Sequence, residues 1–149
     1  MIFDRTQADV EKAKRLIEEK VKNFIPLLES DIETLERGCA TKNTLNRIEN
    51  AQYVLRETLN SFGYSFSIDT KTWDEKSIFN EDDFERVLYN LDVLKRYIVP
   101  KEDTPATPSI SFSYLTFNDI EKIIFDLQTL EENMQKAFIY SGEIYSGEV

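Results

Sequence analysis

Residues 41–63, TKNTLNRIENAQYVLRETLNSFG, decide the fold. Leu45, Ile48, Gln52, Leu55, Leu59 and Phe62 recur every three or four positions, which is the period of one face of a helix. Thr41 or Asn43 can cap its start, and Gly63 can take the left-handed turn that stops it. The flanking sequence repeats this grammar, so the expected class is mainly α.

Upstream, Thr6 followed by Asp9 reads as a helix start, and Val10, Ala13, Ile17, Val21 and Phe24 continue the stripe over residues 7–24. Pro26 interrupts it. Ser30 and Glu33 as a capping box, with Gly38 as a left-handed stop, then bound a short helix over residues 31–37.

Downstream, Tyr64, Phe66 and Ile68 alternate with Ser65, Ser67 and Asp69, the period of a strand. This piece is either a docked extended segment or half of a small β element. Asn80 with Asp83 opens a helix whose Phe84, Val87, Leu88, Leu91, Leu94 and Ile98 face one way until Pro100. Pro100, Pro105 and Pro108 mark a crossover loop. Thr116 then caps a last helix carrying Ile120, Ile123, Leu127, Leu130, Met134 and Phe138. The expectation is a helical bundle over residues 1–139, with four main helices, one short helix and a proline-containing crossover.

Residues 140–149 are a tandem repeat, YSGEI then YSGEV. Extended, they would place Tyr140 and Ile144 on one face and Tyr145 and Val149 on the other. A strand with both faces apolar suits insertion between two surfaces or addition to a sheet edge. A frayed end is the bland alternative. Tyr140, Ile144, Tyr145 and Val149 are therefore candidate partner-binding residues of an extended, strand-like docking tail.

Composition limits the function classes. With 18 basic and 28 acidic side chains in 149 residues the net charge is −10, which repels phosphate backbones and argues against a nucleic-acid partner. Residues 117–149 alone carry two lysines against seven acidic groups, so a partner of that end should be neutral or basic. The longest apolar runs, at 24–28 and 123–125, fall far short of the roughly 20 residues that span a bilayer, and residues 1–7 do not read as a signal peptide. The expected setting is the cytoplasm of the producing cell, with no membrane partner.

The usual catalytic groups are sparse. The sequence has no histidine, which removes the commonest general base and leaves Cys39 without its normal activating partner; a single cysteine also precludes an internal disulfide. Adjacent carboxylates such as Asp82 with Asp83, or Glu131 with Glu132, diverge on a helix. Asp4 with Asp9, or Asp119 with Glu121, could offer oxygens to magnesium, but acidic helix starts commonly serve the helix dipole. The four glycines are scattered, and no phosphate-binding loop is formed. The expectation is a non-enzyme with no cofactor and no metal. Trp73, in a polar loop, either plugs a gap over the core or anchors an interface, and stands as a fifth candidate partner-binding residue.

Several patches, Phe3-Asp-Arg-Thr-Gln-Ala-Asp-Val10, Leu45-Asn-Arg47, Thr70-Lys-Thr-Trp73, Thr104-Pro105, Asn118-Asp-Ile-Glu-Lys-Ile123 and the YSGEIYSGE ending, spread over nearly the whole chain. In these patches the sequence resembles short structural proteins from the tail modules of phages and prophages of Gram-positive bacteria. Residues 23–40 depart from that pattern. The resemblance implies a non-enzymatic baseplate, tail-tip or fibre-associated component, present in repeated copies and docked on other tail or baseplate proteins, reaching the virion from the host cytoplasm. The alternative is an acidic regulatory or adaptor protein that binds a basic protein partner.

Overall fold

Thr41, whose side chain accepts from the Thr44 amide, starts a helix that runs to Ser61, and the stripe read from the sequence is its buried face: Leu45, Ile48, Gln52, Leu55 and Leu59 are all inside. The computed structural model describes residues 1–147, with side chains through 137. In chain order the helices are α1 (Gln7–Leu16), continued by a π-helical turn (Ile17–Val21), α2 (Glu29–Gly38), α3 (Lys42–Ser61), α4 (Glu81–Tyr97) and α5 (Tyr114–Gly147). The protein is a mainly helical bundle, and no strand occurs among the described residues.

The main core lies between α3, α4 and α5. Asn80 and Asp83 exchange backbone and side-chain bonds in a capping box that sets the start of α4, and Phe84, Val87, Leu88, Leu91, Leu94 and Ile98 then enter the core. Phe117, Ile120, Ile123, Ile124 and Leu127 meet them from α5. Ser113, not Thr116, caps α5: its hydroxyl accepts from the Thr116 amide at 3.2 Å, while Thr116 is buried. The expected crossover loop joins α4 to α5, held where Lys95 donates to the Pro105 carbonyl and Thr104 donates to Asp126.

Residues 62–80 form no strand. The alternation of Tyr64 and Phe66 is used by a docked extended segment, with Phe66 stacked on Tyr97 at 4.2 Å and Tyr64 edge-on to the same ring at 5.4 Å. Of the expected stops, Gly63 has φ 99° and ends α3 as anticipated.

Gly38 acts differently. It is the last residue of α2 and takes no left-handed φ; a Cβ built there would come within 2.3 Å of the Ala13 Cβ and of the Asp9 carbonyl oxygen. This glycine permits the close crossing of α1 and α2, a requirement set by tertiary contact and invisible to local sequence pattern.

These two helices form a hairpin that contributes no residue to the main core and packs largely on itself around Ala13 and Leu16. Thr6 and Asp9 form the anticipated capping box of α1, and the Thr6 amide holds the Asp9 carboxyl below its ordinary value. The first helical path ends at Val21 instead of Phe24. The start of α2 is also displaced: Asp31 accepts from Lys20 and from the Leu28 amide, which hold its carboxyl low, so Ser30 is not the cap.

At the far end α5 continues through 140–147, where an extended strand was expected. Once a helix is nucleated each further residue adds one backbone bond, so propagation past Tyr140 outweighs the glycine at 142. Tyr140, Ile144 and Tyr145 therefore stand on helical backbone; Val149 lies outside the described residues.

Gly38→Ala should destabilise the protein by about 1–3 kcal/mol through forced separation of α1 from α2. Urea unfolding followed by circular dichroism measures this, and an unchanged midpoint would contradict the close-crossing role.

Candidate functional site

Two buried carboxylates organise the polar interior. Glu121 of α5 is completely buried. Its Oε2 accepts from the Ile2 amide at 2.7 Å and from Arg5 Nη1 at 2.9 Å. Its Oε1 accepts from Arg47 Nε of α3 at 2.8 Å, while Arg47 Nη2 sits 2.6 Å from the same oxygen but off the hydrogen-bonding angle. Asn118, one turn earlier, exchanges bonds with the backbone of Arg5: its carbonyl accepts from the Arg5 amide and its amide donates to the Arg5 carbonyl, each at 3.0 Å.

Glu49 of α3 is the second hub. It accepts from the Trp73 indole N–H and pairs with Arg86 of α4, and the Lys71 amide donates to it at 3.2 Å. Asn46 grips Trp73 reciprocally, accepting from its amide at 2.7 Å and donating to its carbonyl at 2.9 Å. Trp73 is 3% exposed. Its ring is thus the core plug of the two sequence-level alternatives, and a buried ring offers no surface to a partner.

These clamps unite the patches quoted from the sequence. Residues 3–10 meet 118–123 through Arg5, Asn118 and Glu121; residues 45–47 meet 70–73 through Asn46 and Trp73; Arg47 links the two groups. The side chains of Arg5, Asn46, Arg47, Asn118 and Glu121 are thus engaged in holding the fold. The magnesium idea at Asp119 and Glu121 fails because cations already occupy both Glu121 oxygens, and Asp4 and Asp9 both engage Arg37. Among the described residues no group of three histidine, cysteine or acidic side chains could hold a metal ion.

Two hollows flank the clamps. A polar cleft of about 560 Å³ lies between α3 and the Trp73 loop, near Asn50, Tyr53 and Thr70. A second, of about 410 Å³, lies between α1, the end of α2 and the start of α5, and includes Arg5, Lys14, Cys39 and Phe117. Burial pushes the Cys39 thiol up, with Arg5 pulling the other way, so the thiol stays protonated and weakly nucleophilic near neutral pH.

The most exposed apolar surface is the turn of the hairpin. Phe24 is 93% exposed, on a backbone with φ 55°, and Val21, Ile25, Leu28 and Ile32 are exposed beside it. The periodicity of residues 7–24 puts Phe24 on the helical stripe, whereas the turn leaves it almost fully exposed. The signal that could have revealed the turn is the dense apolar run on both sides of Pro26, which fits no single helical face. No protein-family model, curated protein or solved structure matches the chain. No helix among the described residues is long and apolar enough to cross a membrane.

Removing Glu121 leaves the buried Arg5 guanidinium without an acidic partner, whereas removing Glu49 strands the buried Trp73 indole N–H and leaves Arg86 paired with Asp83 alone. Glu121→Ala should cost about 3–5 kcal/mol and Glu49→Ala about 1–3 kcal/mol in urea unfolding, against less than about 0.5 kcal/mol for Glu75→Ala, which breaks only an exposed pair with Lys42.

Proposed function

We propose that the protein is a non-enzymatic structural component of a phage or phage-like tail, a baseplate, tail-tip or fibre-associated subunit that docks on neighbouring tail proteins in repeated copies. The tail setting rests on the sequence resemblance. Docking rests on one observation: the apolar tip of the α1–α2 hairpin, led by the almost fully exposed Phe24.

Burying a phenylalanine or leucine side chain stabilises by about 1.5–3 kcal/mol each, so an uncovered tip of this kind favours association. The strained φ of Phe24 points the same way, because a bulky residue in the left-handed region carries a conformational cost. Lys20 is paired with Asp31 and Lys22 with Glu18, so both cations around the tip are neutralised and Glu19 and Glu29 remain as its acidic rim. Its complement is an apolar face on a neighbouring subunit. Most of the tip, from Phe24 to Ile32, also lies within residues 23–40, where the chain departs from the pattern of the resemblance, which fits a contact particular to its own neighbour. The C-terminal residues Tyr140, Ile144, Tyr145 and Val149 are proposed as a second contact.

An acidic adaptor that holds a basic partner would dissociate in salt, whereas apolar docking would persist. The combined variant Phe24→Asn, Leu28→Ser should fold normally, since asparagine tolerates positive φ, and should fail to enter tail particles co-expressed with the rest of the module. Wild-type incorporation should survive washing at about 0.5 M salt. Incorporation of the variant at the wild-type level, or loss of the wild type in salt, would contradict the reading.

A further inference from the structure

The 560 Å³ cleft between α3 and residues 70–72 joins a fixed inner wall to an unengaged rim. The wall is held by the clamp: Asn46 grips the Trp73 backbone, and Glu49 is taken up by the Trp73 indole, Arg86 and the Lys71 amide. Around it stand Asn50, Tyr53, Thr70 and Thr72, whose side chains make no hydrogen bond to any described residue. An amide and a phenol come from α3 and two hydroxyls from the facing segment, so both sides offer donors and acceptors to one small occupant. A hollow of this size falls in the range of small-molecule sites, and its polar lining selects a hydrophilic occupant.

Two cations complete the rim. Lys71 is half exposed, its ammonium 4.3 Å from the centre of the Trp73 ring and 3.8 Å from Asp83, a carboxylate that Arg86 already holds at 3.2 Å. Arg47 is anchored through Nε and Nη2 against Glu121. Its Nη2 is inaccessible, yet 27% of the side chain is exposed, so the accessible part is Nη1 and the stem, and Nη1 has no acceptor among the described residues. An arginine fixed in this way loses little freedom when its remaining N–H groups take an anion. Glu49 is the sole acidic residue of the described lining and is paired with Arg86, so no free carboxylate opposes an anion there. The net charge of −10 is spread over the whole chain, and charges beyond about 8 Å are largely screened at physiological salt, so the nearby cations decide.

We infer that this cleft binds a small sugar phosphate, its phosphate between Lys71 and Arg47 Nη1 and its hydroxyls on Asn50, Tyr53, Thr70 and Thr72. A phosphate is favoured over a carboxylate because cations on two facing sides suit a tetrahedral group whose oxygens point several ways. The site is separate from the hairpin tip and does not depend on the tail assignment.

Trp73 is the only tryptophan and the Lys71 ammonium lies over its ring, so its fluorescence reports a ligand that draws that ammonium away. The full-length protein is titrated with glucose 6-phosphate and ribose 5-phosphate at about 0.15 M salt, alongside glucose, ribose and inorganic phosphate, with calorimetry in parallel. At least one sugar phosphate should bind saturably with Kd below about 1 mM, and free sugar or phosphate about tenfold or more weakly. Lys71→Gln, an exposed change, should weaken the sugar phosphate about tenfold, and Asn50→Ala about fivefold. Lys42→Gln, an exposed change outside the lining, should leave the affinity unchanged, and thermal melting checks that each variant folds. No saturable heat with either sugar phosphate, equal affinity for phosphate alone, or wild-type affinity in Lys71→Gln or Asn50→Ala would overturn the assignment. So would a loss in Lys42→Gln equal to that in Lys71→Gln.

Discussion

The buried carboxylate of Glu121, gripped by Arg5 from the N-terminal segment and Arg47 from α3, is the constraint on which the arrangement depends. The three-helix core needs no such device, because α3, α4 and α5 meet through continuous apolar faces. The hairpin is different. It adds nothing to that core, so its position on the body follows mainly from the segment of residues 1–6 bonded to α5. Burying an ion pair contributes little net stability compared with an apolar replacement, but it penalises every arrangement that leaves one partner unpaired. The clasp therefore fixes where the hairpin sits more than it strengthens the whole.

That division of labour explains how the bundle can carry an apolar tip without collapsing onto it. The tip lies at the turn of the hairpin, beyond the crossing permitted by Gly38, while the clasp holds the N-terminal end. Glu49 performs the corresponding task for the loop after α3, drawing Trp73, Lys71 and Arg86 together so that a long irregular segment closes over the core. Both hubs place one carboxylate against groups from two other parts of the chain.

The helical stripes of α3 and α4 were legible because amphipathic period and capping residues are local properties: Thr41, Asn80 and the buried positions from Leu45 to Ile98 all stand where the pattern puts them. What escaped reading was non-local. Glu121 looked like one more helix-start acid, and only its burial beneath two arginines 116 and 74 residues away reveals its role. Gly38 resembled a stop signal because a close helix crossing leaves no local mark. Phe24 looked like the end of a stripe since periodicity cannot tell that a π-helical turn ends the path at Val21. Trp73 was readable as one of two possibilities, and its burial beside Glu49 decides for the core. The doubled ending was read as a strand from alternation alone, whereas the backbone of α5 carries on through most of it.

Native-state hydrogen exchange at the amides of Ile2 and Arg5, which donate to Glu121 and Asn118, tests the clasp most directly. If it fixes the N-terminal segment on α5, both amides exchange only through large-scale opening, with protection close to that of the α5 core. Exchange at the rate of a frayed chain end, while the α3–α5 core stays protected, would contradict it.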